Sequence, residues 1–269
     1  MCLIGFALDA HDDFVLVLAA NRDEYYARES AAASWWGDRA TVWGGRDRVA
    51  GGSWLALDRR GRLAAVTNVR EPAPPPGRRS RGELVAEFVS GDAALDDYAA
   101  SVASRAGHYA GFNLLLFDPA SPRPALYVSN RHPQQVLDVP AGVHGLSNHL
   151  LGTDWPKVRR LNRRLRGALE DPHAPLDTVL LGALADRSQP PDDELPDTGI
   201  GLPRERILAP AMIVAPELGY GTRASTLVAI RRDGRIEAIE RSWGPGLPVP
   251  RIAGERRTRF TALRRTPVR

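Results

Sequence analysis

The chain has 269 residues, 43% of them apolar and 25% charged, with six tryptophans and one cysteine, a balance that excludes fibrous and disordered classes. At this length roughly 75% of the unfolded surface can be buried, so one domain over residues 1–269 is the simplest expectation. The formal charge of +4 is nearly all arginine, with Lys157 the only lysine, and the arginines are scattered along the chain, which argues against a nucleic-acid partner.

The abundance of Ala, Pro and Gly beside Arg matches the coding bias of a GC-rich bacterial genome. The apolar N-terminus lacks a basic leader and is interrupted by Asp9, Asp12 and Asp13, and no run of eighteen apolar residues occurs; neither a signal peptide nor a membrane span is predicted. A cytoplasmic location is the expectation. One cysteine excludes an intrachain disulfide and a multi-cysteine zinc site. His11, His108, His132, His144, His149 and His173 show no metal-ligand spacing, and no Rossmann or P-loop glycine pattern is present, so neither metal nor nucleotide cofactor is predicted.

Residues 3 to 8 and 14 to 20 are apolar, β-prone runs joined by turn formers and predict a hairpin that begins beside Cys2. Glu24 to Asp38 shows little periodicity and predicts a loop laying Trp35 and Trp36 over something else. Strands are predicted at 41–43, 53–58 and 63–69, separated by glycine pairs and an Arg-Gly turn. After the proline-rich connector 72–77, Ser80 and Glu83 form a capping-box pattern for a helix to about Ser90, and Asp92 predicts the cap of a second helix. Strands follow at 112–117, 125–129 and 135–139, the first apolar on both faces and hence central, then a short strand ending at Ser147 and Asn148.

Thr153 or Asp154 predicts the cap of a helix with Pro156 in its first turn, its leucines on one face and its five arginines on a solvated one. A short helix is predicted at 176–185. Residues 186–205, rich in Pro, Asp and Gly, read as a lid or a disordered excursion. Strands at 211–214, 223–230 and 235–242 close the pattern. Blocks of strands around clustered helices favour mixed sheets with outer helices, an α+β arrangement, over an alternating βαβ wind.

The candidate chemistry starts at Cys2. Once the initiator methionine is removed, this residue carries a thiol, ordinarily titrating near ~8.5, and an α-amine, near ~8, close enough for the amine to take the thiol proton. One residue then supplies nucleophile and base for attack on an acyl carbon. Such attack needs fixed amide donors for the oxyanion and a carboxylate for the ammonium. Asn68 and Asn148 stand at predicted strand ends, and Asp23 ends the strand returning toward Cys2. Arg223 enters an apolar strand, where it is expected to hold a carboxylate or polarise the thiolate. Trp35, Trp36, Trp43 and Trp54 are candidates for an apolar acyl pocket.

Met1-Cys2, Asn21-Arg22-Asp23-Glu24, Gly51-Gly52-Ser53-Trp54-Leu55, Val66-Thr67-Asn68-Val69-Arg70, Ser80-Arg81-Gly82, Gly111-Phe112-Asn113-Leu114, Gly145-Leu146-Ser147-Asn148, Trp155-Pro156-Lys157-Val158 and Tyr220-Gly221-Thr222-Arg223 resemble the NRDE-motif family, whose eukaryotic members are called transport and Golgi organisation protein 2. The resemblance extends to about residue 243. It implies an N-terminal nucleophile hydrolase fold, a four-layer αββα sandwich with Cys2 at the edge of a central sheet. In a looser likeness to choloylglycine and penicillin acylases, Cys2, Asn21, Asp23, Asn68, Asn148 and Arg223 match the pattern position by position. Ala20 stands where those enzymes have arginine, while Arg22 follows two residues later on the same strand face. The implied activity is cleavage of an amide or related acyl bond in a small molecule. The alternative is a carrier of a hydrophobic ligand such as haem or lipid, with no turnover.

Overall fold

The computed structural model describes residues 3–73, 77–246 and 250–263. The opening hairpin is β1 (Leu3–Leu8) and β2 (Phe14–Tyr25). β2 is longer than its apolar run because residues 22–25 keep pairing with β12 (Tyr220–Arg231) beyond the described start of β1. The meander continues with β3 (Ser30–Trp36), β4 (Arg39–Asp47), β5 (Leu55–Asp58) and β6 (Leu63–Asn68). The predicted loop over 24–38 thus contains a strand, with register shifts against β4 that hide its periodicity.

Helices α1 (Gly82–Ser90) and α2 (Leu95–Ser104) come next, then β7 (Phe112–Phe117), β8 (Ala125–Ser129), β9 (Val136–Asp138) and β10 (Gly142–Leu146). The expected caps take other roles. Arg81 occupies the N-cap of α1 with its side chain on the Gly111 carbonyl instead of capping the helix, and Asp92 is drawn to Arg60 while Ala94 precedes α2. Helix α3 (Pro156–Glu170) starts on Pro156 as expected, but Asp154 pairs with Arg159 instead of capping. It is followed by α4 (Leu176–Leu184), α5 (Leu202–Leu208), β11 (Val214–Ala215), β13 (Arg235–Gly244) and β14 (Arg251–Thr261).

Two antiparallel sheets result. One has the order β10-β1-β2-β12-β13-β14, with β11 also on β12, and the other runs β3 to β9 in sequence. Strand alternation assigns each face its partner. Ile4, Phe6, Leu8, Leu16 and Leu18 meet Leu55, Leu57, Leu115 and Phe117 between the sheets. Leu114, Leu116, Leu126 and Val128 of the second sheet pack outward on α1 and α2, and Leu3, Val17 and Ala19 of the first pack on α3 and α4. β7 is therefore buried on both faces. The layers are helix, sheet, sheet, helix.

Glycines let α3 lie close to its sheet: a Cβ on Gly145 would stand 2.2 Å from Val158 Cγ1, and one on Gly5 2.7 Å from Leu161 Cγ. The α3 arginines turn outward, Arg159 to Glu194 and Arg160 to Asp186. Among the described residues no helix is long and apolar enough to cross a membrane.

Candidate active site

The end of β2 divides its residues between two faces. Asn21, fully buried, donates from Nδ2 to the carbonyls of Leu184 (2.7 Å) and Ala211 (2.8 Å) and accepts from Ser225 Oγ (2.6 Å). It ties the strand to the α4 side and is turned away from the space between the sheets. Asp23 accepts from Thr222 Oγ1 at 2.6 Å, and that oxygen in turn accepts from the Ile213 N–H at 2.9 Å, so the carboxylate has a fixed orientation.

Arg22 takes the opposite face, the one shared with Ala20. Its guanidinium lies 4.4 Å from the Trp54 ring centroid and 3.7 Å from Glu24. Burial pushes its pKa down, against the upward pull of Glu24 and Asp47. The register shift at this point lies on β12, between Thr222 and Ala224, leaving Arg223 as the extra residue. Arg223 donates to the carbonyls of Tyr25 and Tyr26, both at 3.1 Å. Among the described contacts, the guanidinium expected to hold a carboxylate or polarise the thiolate braces the backbone where β2 ends.

Asn68 ends β6. Asn148 donates from Nδ2 to Asn68 Oδ1 at 2.9 Å and to the Asn68 carbonyl at 3.2 Å, while the Asn148 carbonyl accepts from the Arg70 N–H at 2.7 Å. With Oδ1 occupied, Asn68 presents Nδ2, whose own contact is a long 3.4 Å to the Val69 carbonyl. A buried chain supports the pair: Tyr127 donates to Asn113 Oδ1, Asn113 Nδ2 to Thr67 Oγ1 and the His149 carbonyl, and Thr67 to the Ser147 carbonyl. These bonds fasten β6, β7 and β8 to the segment leaving β10, and so join the two sheets.

A cavity of about 970 Å³ opens at these strand ends, bordered by Arg22, Asp23, Trp54, Thr67, Asn68 and Arg70. Ile200, Arg204, Ile207 and Leu208 close another side. The segment expected to be a lid or disordered is held in place: Glu205 forms a buried ion pair with Arg70 and accepts from Thr198 through its backbone N–H (3.0 Å) and hydroxyl (2.6 Å).

Of the sequence-predicted residues, Arg22, Asp23, Asn68 and Trp54 border this cavity, and Asn148 orients Asn68. Arg223 borders a second cavity of about 480 Å³ that shares Arg22 and Trp54 as walls. Trp36 instead packs toward α1 with Arg46 over its ring, Trp35 lies against Phe260 and Arg59, and Trp43 sits in the core between the sheets. Cys2 lies outside the described residues. Sequence reasoning missed Thr67, Asn113 and Glu205, and also Glu240, a buried carboxyl at an inward-facing strand position whose pKa desolvation pushes up to about 7. Among the described residues no group of three His, Cys, Asp or Glu could hold a metal ion.

Residues 1–245 match the family model described as Transport and Golgi organisation 2. The mouse Transport and Golgi organization 2 homolog is 33% identical over 256 residues, spanning 90% of this chain and 93% of the relative. The human homolog is 34% identical over the same shares. The Drosophila melanogaster protein is 26% identical, over 89% of this chain and 91% of its own. Among solved structures, the Caenorhabditis elegans N-acylethanolamine-hydrolyzing acid amidase ortholog superposes with a TM-score of 0.52 over 84% of this chain and 92% of that one, at 9% identity. The likeness is one of fold, in keeping with the αββα layers described above.

Proposed function

The chain belongs to the Transport and Golgi organisation 2 family, and on that premise we propose that it is an N-terminal cysteine hydrolase of a small-molecule amide or related acyl bond. The observation that carries the proposal is the Asn68 amide, whose Oδ1 is held by Asn148, on the wall of a cavity that Asp23 also borders. That is the donor and carboxylate pairing which acyl attack from an N-terminal residue requires.

In this reading Met1 is removed and the α-amine of Cys2 takes the thiol proton. The thiolate attacks the acyl carbon, and the oxyanion accepts from Asn68 Nδ2. Asp23 balances the ammonium. Collapse breaks the C–N bond, the leaving amine takes the proton from the ammonium, and water cleaves the thioester to release the acid and restore the thiol. The fold likeness to an acid amidase supports this bond class.

A second reading, a carrier of a hydrophobic ligand such as haem or lipid, draws on the apolar side of the cavity, where Ile200, Ile207, Leu208 and Leu218 gather. Intact mass and an acyl β-lactone probe separate the two. A hydrolase lacks Met1 and is labelled at Cys2, with labelling lost in Cys2→Ala. Retained Met1, or equal labelling of Cys2→Ala, would exclude the mechanism. A haem carrier takes up haem with a new absorbance band and leaves the probe unreacted.

A further inference from the structure

The carboxylates on the wall of the large cavity already face partners. Arg28 pairs with Asp47 at 2.6 Å, Glu24 stands 3.7 Å from Arg22, Glu71 is held by Arg131, and Asp23 accepts from Thr222. Carboxylates beyond the wall take two further guanidiniums, Glu205 that of Arg70 and Glu83 and Glu87 that of Arg79. Arg78 and Arg204 border the same space and are exposed, and among the described residues neither guanidinium has a hydrogen bond or an ion pair. A ligand entering from solvent can reach both.

Both are also held in place. The N–H groups of Arg78 and Arg79 donate to the His108 carbonyl at 2.8 and 3.1 Å, and a Cβ on Gly77 would stand 2.5 Å from the Ala110 nitrogen, so this segment lies against the chain before β7. Arg204 sits on α5, which is anchored by the Arg70 and Glu205 ion pair and by Lys157 Nζ donating to the Leu208 carbonyl at 2.9 Å. Arg204, Ile207 and Leu208 are spaced i, i+3, i+4, so one face of α5 gives the cavity a cation and two apolar side chains. Ile200 and Leu218 extend the apolar wall, and Leu218 is left 51% exposed.

We propose that the molecule cleaved in this cavity is an N-acyl amino acid, its carboxylate between Arg78 and Arg204 and its acyl chain on Ile200, Ile207, Leu208 and Leu218. The inference rests on the hydrolase reading of the site and names its substrate class. An amide answers Asn68, an apolar chain answers the α5 face, and a planar, acceptor-only carboxylate answers two guanidinium forks. One negative charge suits a wall that also carries Asp23, Glu24, Asp47 and Glu71, which would repel a doubly charged phosphate more strongly. Hydrolysis adds one water across the C–N bond and releases an aliphatic carboxylate and a zwitterionic amino acid, so atoms and charge balance without a further reactant.

The test compares N-octanoylglycine with N-octanoylethanolamine, in which a hydroxymethyl group replaces the carboxylate, and with N-octanoylaminomethylphosphonate. Calorimetric titration of the Cys2→Ala chain reads binding without turnover, and release of free amine by the unaltered chain reads kcat/KM. The glycine conjugate is expected to bind about tenfold more tightly than the ethanolamine conjugate and to lead in kcat/KM. That preference should shrink in Arg78→Gln and in Arg204→Gln, vanish when both are combined, and largely survive in Arg204→Lys. Equal binding of the glycine and ethanolamine conjugates overturns the proposal whatever the variants do, as does tighter binding of the phosphonate or a preference that persists in the double variant. Labelling of Cys2 by the β-lactone probe reports separately on the hydrolase reading. A labelled Cys2 with no preference for the glycine conjugate overturns the substrate class alone, whereas an unlabelled Cys2 overturns the hydrolysis on which it rests.

Discussion

Asn148 donates its side-chain amide to both the side-chain and backbone oxygens of Asn68, at 2.9 and 3.2 Å, and thereby decides which end of the Asn68 amide is left for a ligand. An asparagine alone could rotate by half a turn and offer oxygen where an oxyanion would sit. The neighbour forbids that. Asn148→Asp should reverse Asn68, because a carboxylate in place of the donating amide accepts from Asn68 Nδ2. The acyl-probe labelling rate at Cys2 is then expected to fall by about 10²- to 10³-fold, the scale of losing one oxyanion donor. Asn148→Ala should fall less, since Asn68 keeps its freedom to donate. Similar rates for both variants and the unaltered protein would remove Asn68 from the chemistry.

Asn21 is expected to act on stability. Asn21→Ala takes the donor from the Leu184 and Ala211 carbonyls and the acceptor from the Ser225 hydroxyl, and should cost about 2–4 kcal/mol by the usual penalties for buried polar groups that lose a bond. Urea unfolding reads it directly. A variant with unchanged unfolding free energy would contradict the structural assignment.

Glu240 makes stability depend on pH. Its carboxyl titrates at about 7 in the folded chain against an ordinary 4.5, because burial outweighs the help of the Ala33 N–H, Thr226 and Arg22. The folded state holds a proton that the unfolded chain gives up, so stability declines as pH rises from 4.5 to about 7, by at most about 3 kcal/mol. Glu240→Gln keeps an acceptor for Ala33 and should flatten that part of the curve. Melting temperatures measured from pH 4.5 to 8 test it, and parallel curves for the two proteins would refute it.

The Arg70 and Glu205 ion pair fixes the segment bordering the large cavity, with side-chain exposures of 7% and 2%. Glu205→Ala strands a buried guanidinium and is expected to cost about 3–5 kcal/mol, whereas Arg70→Met with Glu205→Met should recover most of it. Limited proteolysis within 186–205 is the local readout. Equal cleavage of single and double variants would show that the pair does not hold the segment.

Much of the scaffold was legible because apolar periodicity reports burial. β1, β7 and β8 match their expected bounds, since each is bordered by sharp turns and buried along its length. The NRDE-motif resemblance and the αββα fold it implied are met by the family match and the fold likeness. β14 was not foreseen: its residues are mostly exposed, and Arg-rich alternation on an outer strand looks like a solvated tail. β3 was hidden by its register shifts. In the candidate site, strand-end placement was readable for Asp23, Asn68 and Asn148, but the destination of each side chain was not. Trp35 and Trp36 illustrate this: their apolar bulk was evident, and only the sheet's faces decide that they pack away from the cavity. Glu205 and Glu240 were invisible because a charged letter carries no sign of its burial.

Residues 21–24 lie on an extended strand, and consecutive side chains of a strand leave it on opposite faces. Asn21 binds the carbonyls of Leu184 and Ala211 on the helical side, while Arg22 stacks on Trp54 within the sandwich. The four-residue signature thus carries two kinds of instruction, one for assembly and one for the cavity. Replacing Asn21 should lower protein yield, whereas replacing Arg22 or Asp23 should change ligand handling.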